Sequence, residues 1–332
     1  MPPADDKGFP AFAPPAGLRH ASLQSTLASK RPVQRLWRKK GLDLNAKSIA
    51  HVLDCGHGVR LTGQQTPAPT AASRGLAVLV HGWEGGHDSS YLYSMAARLH
   101  TEGYATFRLN LRDHAGTHDL NEEMFHSARM DEVFGALARI RTLEPQGPLF
   151  VIGFSLGGNF SLRVGLQGSS RGVNPRLSIG ISPSINPAST LEGIDSGPAL
   201  FRWYFLDKWQ RTLEAKRRAW PRYDFSAYRQ LKTFVDTTRR FVADFTEYAT
   251  YEDYLAQYTL TPALLAASPS PLAIVTSRDD SVIPIRDFAG LEVGGSVVAC
   301  DITDHGGHCG FIENWRFDSW AERRVVALLR DA

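Results

Sequence analysis

Pro148-Leu149-Phe150-Val151-Ile152-Gly153-Phe154-Ser155-Leu156-Gly157-Gly158-Asn159 is the stretch that decides the fold. Its first five residues make a short apolar run that suits a strand buried on both faces of a parallel sheet. Residues 159–166 read as a helix, so Gly153-Phe154-Ser155-Leu156-Gly157 falls between strand and helix. A G-x-S-x-G pentapeptide recurs by chance, and by itself it can be a small-residue turn. In this position it predicts a tight bend whose glycines remove side chains that would clash. Ser155 is then held at the C-terminal edge of the sheet, beside a helix N-terminus that favours negative charge.

The same alternation extends in both directions. Apolar runs at 76–80, 104–109, 177–181, 271–275 and 295–299 predict further strands, and 91–100, 122–141 and 318–329 predict helices. Asp88, Ser89 and Ser90 are available to cap the first of these helices. Strand alternating with helix implies right-handed crossovers and a mostly parallel sheet with helices on both faces. The pattern lapses between 183 and 262, which is long, aromatic and helix-prone. We therefore expect an N-terminal arm (1–47) packing on a core formed by 48–182 and 263–332. Residues 183–262 would form a helical lid inserted into that core, excluding water on closure.

Composition narrows the function. The 332 residues carry 37 Lys and Arg against 34 Asp and Glu, a net charge of +3, too balanced for a nucleic-acid binder. Arg35, Arg38, Lys39 and Lys40 cluster in an arm that reads as irregular and solvated. No apolar run approaches the length of about 20 residues needed to cross a bilayer. Met1–Pro15 lacks the pattern of a secretory signal, so a cytoplasmic protein is expected. Cys55, Cys300 and Cys309 do not make a disulfide framework or a zinc site.

A serine hydroxyl is a poor nucleophile without a base. On a strand–turn–helix of this kind the partners follow in the order Ser, Asp or Glu, His. After the strand at 271–275 comes Ser277-Arg278-Asp279-Asp280-Ser281-Val282-Ile283-Pro284, and Asp280, four residues before Pro284, is preferred to Asp279. After the strand at 295–299 comes Asp304-His305-Gly306-Gly307-His308-Cys309-Gly310-Phe311, where His305 and His308 compete. The oxyanion of a tetrahedral intermediate needs two donors. The Leu156 N–H is one and the Trp83 N–H, in His81-Gly82-Trp83-Glu84-Gly85-Gly86, is assigned as the other. No phosphate-binding glycine pattern is present. His114 and His118, with Asp113 and Asp119, lack zincin spacing and are expected to pin a loop, so neither metal nor cofactor is predicted.

Several segments together resemble the YheT-like branch of the α/β-hydrolases, which includes ABHD1- and ABHD3-type lipases and yeast medium-chain ester synthases. Gly153–Asn159 is similar to that family's elbow, and His81–Gly85 to its HGLEG loop. Gly306–Phe311 is similar to its GGHxGF motif, which selects His308. Arg112-Asp113, His126-Ser127 and Ala21–Ser25 fall where the family has a loop arginine, an HS pair and an HLQT segment; Ala21-Ser22 departs from the last. The resemblance implies hydrolysis of short- to medium-chain carboxylic esters, or acyl transfer or lipase chemistry on the same triad. A small-molecule or lipid ester is the expected partner, with membrane-surface contact compatible. Phe154, Phe201, Trp203, Tyr204 and Phe205 are candidate acyl-chain contacts. A silent binding module with this fold is the alternative of another class.

Overall fold

The apolar runs become strands because each is covered on both sides. In the computed structural model, which describes residues 9–197 and 199–332, the chain opens with α1 (Ala21–Lys30) and α2 (Val33–Lys39). There follow β1 (Ile49–Asp54), β2 (Arg60–Thr66), β3 (Leu76–Val80), α3 (Ser90–Thr101), β4 (Ala105–Asn110), α4 (Met130–Leu143), β5 (Leu149–Phe154), α5 (Leu156–Gln167) and β6 (Leu177–Ile181). Then come α6 (Pro187–Ser196), α7 (Ala199–Ala219), α8 (Phe234–Phe245), α9 (Tyr251–Ala256) and α10 (Pro262–Ala266). The chain returns to the sheet with β7 (Leu272–Ser277) and β8 (Val297–Thr303) and closes with α11 (Trp320–Asp331).

The sheet runs β1-β2-β4-β3-β5-β6-β7-β8. From β4 to β8 neighbouring strands are parallel, and β1 and β2 are antiparallel additions at one edge. Every residue of β3, β5, β6 and β7 is buried. One face packs on Leu92, Leu99, Val325 and Leu329 of α3 and α11, the other on Val133, Leu137, Phe160 and Val164 of α4 and α5. Each such aliphatic or aromatic side chain stabilises the fold by roughly 1.5–3 kcal/mol relative to exposure.

The chain leaves β3 toward β4 on one side and reaches β5 on the other. The order reverses there, and in open α/β sheets the crevice at such a point receives ligands. Val80 lies opposite Gly153 in register, so the loops after β3 and β5 emerge side by side.

Three segments differ from expectation. β1 and β2 escape the hydrophobic pattern because only Leu53 is buried in β1, while β2 is Arg-Leu-Thr-Gly-Gln-Gln-Thr. Antiparallel pairing of β2 with β4, and of β1 with β2, holds them. Residues 122–129 are not helical, since tertiary partners take the backbone groups a helix would use. Phe125 N donates to Asp113, Ser127 N donates to the Tyr254 hydroxyl, and Asn121 O and Glu123 O accept from Lys216. The N-terminal segment, among the described residues, is not irregular but largely helical. Ala28, Val33, Trp37 and Leu44 enter the core, and Trp37 donates to Ser94 of α3.

The helices between β6 and β7 are capped at sites the sequence supplies. Asn186, Thr233, Thr250 and Thr261 each accept from a backbone N–H in the first turn. They build a separate aromatic cluster around Leu213, Phe225, Tyr228 and Phe241. No helix among the described residues is long and apolar enough to cross a membrane.

Candidate active site

The turn after β5 is as tight as its glycines imply. Ser155 sits at φ 54°, ψ −120°, a conformation that L-residues avoid. A Cβ on Gly153 would lie 1.9 Å from Gly157 O, and one on Gly157 would lie 2.3 Å from Val80 O. Neither backbone atom can give way, so only glycine fits at both positions. Strain at Ser155 is sustained by hydrogen bonds on both sides, from its N–H to Ile181 O and from Asn159 N to its carbonyl.

Two other loops converge on this serine. His308, after β8, places Nε2 2.9 Å from Ser155 Oγ. Its Nδ1 lies 2.9 Å from Oδ2 and 3.1 Å from Oδ1 of Asp280, after β7. The Asp280 side chain is fully buried, and its Oδ1 also accepts from the N–H groups of Val282 and Ile283. Burial by itself would lower the His308 proton affinity. Burial is the largest single influence, but the adjacent Asp280 carboxylate, with a further contribution from Cys309, outweighs it and holds the imidazole well above its ordinary range.

The competing pair is placed elsewhere. Asp279 Oδ1 accepts from Gly307 N at 2.8 Å, and His305 Nδ1 lies 3.8 Å from Asp279 Oδ2. Asp279 thus shapes the loop that carries His308, with Ser277 Oγ donating to Gly307 O.

Ser25 and Gln24, on α1, complete this support. Ser25 Oγ accepts from His308 N at 2.8 Å. Gln24 is fully buried; its amide donates to Leu18 O and Ile312 O and accepts from Ile312 N. The resemblance points to this segment, but nothing in the local pattern shows that it reaches a loop 283 residues away. Gln24→Ala is expected to destabilise the protein by about 1–3 kcal/mol, the cost of leaving buried backbone groups unpaired. kcat should fall as the His308 loop loosens. Urea melts with parallel rate measurements check it, and an unchanged midpoint would contradict this reading.

On the far side of Ser155 lies the loop after β3. A Cβ on Gly82 would sit 3.2 Å from Ser155 Cβ, so a side chain there would crowd the reacting group. Gly82 N donates to the Tyr91 hydroxyl, and His81, held neutral by burial with its pKa at about 4, accepts from Leu111 N. Leu156 begins α5, where an N–H has no partner within the helix. Among the described residues no acceptor is found for the N–H of Leu156 or Trp83.

A cavity of about 610 Å³ opens above these groups. Trp203, Tyr204, Phe205 and Trp209 of the aromatic segment line it, joined by Phe234 and Phe241, which the sequence reading did not single out. Phe154 does not line it; its ring turns into the core and packs on Tyr91 at 4.7 Å. Alternation along β5 accounts for this, because Ser155 and Phe154 leave the strand end in opposite senses. Phe201 belongs to α7, but its side chain lies outside the described residues. Asp113 and His114 pin the loop after β4: Asp113 binds Lys216 and Phe125 N, and His114 Nδ1 lies 2.7 Å from Arg112 O.

Comparison with known proteins agrees with this architecture. The chain is 23% identical over 323 residues to YheT of Escherichia coli (strain K12), an esterase by name, covering 95% of this chain and 91% of that one. It is 24% identical over 247 residues to the Homo sapiens phospholipase ABHD3, covering 73% of this chain and 60% of the human protein. The Pyrococcus furiosus esterase Pf2001 superposes with a TM-score of 0.58 at 15% identity, over 87% of this chain and 94% of that one. A model of the alpha/beta hydrolase family matches residues 77–317, from β3 through the His308 loop, and the chain belongs to that family.

Proposed function

We propose that this chain is a serine esterase that cleaves carboxylic esters through an acyl-Ser155 intermediate. The observation that carries the reading is the unbroken line from Asp280 through His308 to Ser155 Oγ. His308 Nε2 takes the serine proton as Oγ bonds to the acyl carbon. The oxyanion is met by the N–H groups of Leu156 and Trp83. The intermediate collapses, His308 returns the proton to the leaving alkoxide, and the alcohol departs. Water, deprotonated by the same imidazole, then bonds to the acyl carbon; the bond to Ser155 Oγ breaks, His308 returns the proton to Oγ, and the acid departs. Asp280 keeps Nδ1 protonated, so that Nε2 offers its lone pair, and stabilises the imidazolium between the two transfers.

The aromatic lining suits an apolar acyl chain, and a cavity of about 610 Å³ is within the range of small-molecule sites. The helices α6–α10 act in this reading as a lid. The esterase and phospholipase names of relatives are consistent with ester chemistry.

Hydrolysis of p-nitrophenyl esters of rising acyl length tests it, beside labelling by a fluorophosphonate. Turnover should peak at a short to medium chain, and the label should sit on Ser155. A folded protein that neither turns over any ester nor takes the label would be a silent binding module. Capture of the acyl group by an added alcohol in place of water would reassign the second half-reaction to acyl transfer.

A further inference from the structure

The loop that carries the Trp83 N–H is gripped by α7. The Trp83 ring packs on Phe205 and Trp209 of α7 and on Phe234 of α8, with centroids 6.1, 5.6 and 5.3 Å away. The next residue, Glu84, holds a positive φ of 55°, which a non-glycine residue keeps only under constraint. The constraint is visible. Thr212 Oγ1 of α7 donates to Glu84 Oε2 at 2.6 Å, and Lys208 Nζ donates to the Glu84 carbonyl at 3.3 Å. From below, the flanks of the loop are tied through Leu111 N to His81 Nε2, Gly82 N to Tyr91, Gly86 N to Ser89 and His87 N to Asn110, while Trp83 and Glu84 between them are held by the turn itself and by α7.

We propose that Glu84 and Thr212 form a latch that aims the Trp83 N–H at the oxyanion only while α7 is seated over the cavity. The inference rests on the serine mechanism above and adds a coupling to it: the helix that covers the substrate also completes the donor pair. Glu84 is a positioning residue and touches no reacting atom. The seat of α7 is fixed at its far end by Lys216, whose ammonium is fully buried and donates to Asp113, Asn121 O and Glu123 O. Thr212 lies one turn before that anchor, so a shift of the N-terminal half of α7 would be passed to the oxyanion loop through the Glu84 contact.

The latch also titrates. Burial pushes the Glu84 carboxyl up to about 7, against the lowering effects of Thr212 and Lys208, and Asp113 on the β4 loop adds to the rise. Lys208 and Thr212 face it from α7, and Asp113, itself paired with Lys216, from the β4 side. A carboxyl raised in the seated state stabilises that state when protonated. The contribution is present below the ordinary carboxyl range and is lost as pH climbs through about 7.

Thr212→Val and Glu84→Ala should each lower kcat about tenfold with little change in KM, because an oxyanion donor acts on the transition state. The double variant should lose no more than either single one, since both break one contact. Glu84→Gln keeps an acceptor for Thr212 and should recover most of the loss. Its kcat relative to wild type should rise as pH passes through 7. Rates are taken per fluorophosphonate-titrated site, so misfolded protein does not count. A wild type that labels and turns over, beside variants whose kcat and pH profile match it, overturns the latch alone. A wild type that does not label overturns the serine mechanism and the latch with it. Variants that lose only melting temperature would show that the contact is structural and nothing more.

Discussion

Ser155→Ala should reduce ester hydrolysis by at least about 10³-fold while leaving the fold intact. The hydroxyl is the group whose bond to the acyl carbon defines the proposed mechanism, and among the described residues no other hydroxyl lies in the His308–Asp280 line. The residual rate reflects binding and the oxyanion donors, which the substitution leaves in place. Stability should change little. Alanine retains the Cβ at the strained φ of 54°, and the backbone bonds to Ile181 and Asn159 remain. Burst kinetics and labelling on matched, circular-dichroism-verified samples make the comparison. A variant with unchanged hydrolysis would remove Ser155 and the whole acyl-enzyme scheme.

Asp280→Asn is expected to cost about 10³- to 10⁴-fold in kcat, through geometry as much as charge. Asp280 Oδ1 accepts from two backbone donors, Val282 N and Ile283 N. An asparagine must keep its oxygen there, since its amide would otherwise face two N–H groups. The amide is then left pointing at His308 Nδ1, which has to accept rather than donate. The imidazole is forced into the tautomer with a proton on Nε2, and it can no longer take one from Ser155. Removing the carboxylate also removes the strongest of the influences that hold the His308 proton affinity high. The acid limb of whatever activity remains should move to lower pH. For stability the sign is set by the raised imidazole. Its pairing with Asp280 contributes most below the ordinary histidine range and fades as pH rises through the raised value, and the variant should lack that slope. Asp279→Asn should do far less, because its oxygen can still accept from Gly307 N. A larger loss at Asp279 than at Asp280 in kcat–pH profiles would reverse the assignment.

Local pattern made the parallel sheet and the elbow readable in advance. Strands buried on both faces are continuous apolar runs, and the elbow needs glycine at 153 and 157 because backbone atoms fill the space of a side chain. The order Ser155, Asp280, His308 was legible for a related reason, since each follows a strand whose C-terminal end faces one crevice. The choice of Asp280 over Asp279 rested on a weaker cue, because both occupy the same turn and only the loop path decides which carboxylate reaches Nδ1. β1 and β2 were invisible because an edge hairpin is held by ladder hydrogen bonds that polar residues supply as well as apolar ones.

That this chain folds as an α/β sheet and presents a serine on a tight bend follows from the sequence, because both features are set by residues adjacent in the chain. Only the folded chain shows that Gln24 and Ser25 brace the His308 loop, that residues 122–129 are not helical, that Phe154 turns inward and that α7 grips Glu84. Each of these depends on a hydrogen bond or ring contact between segments distant in the chain. No periodicity or spacing records such a contact, since its energy exists only once the sheet has brought the partners together.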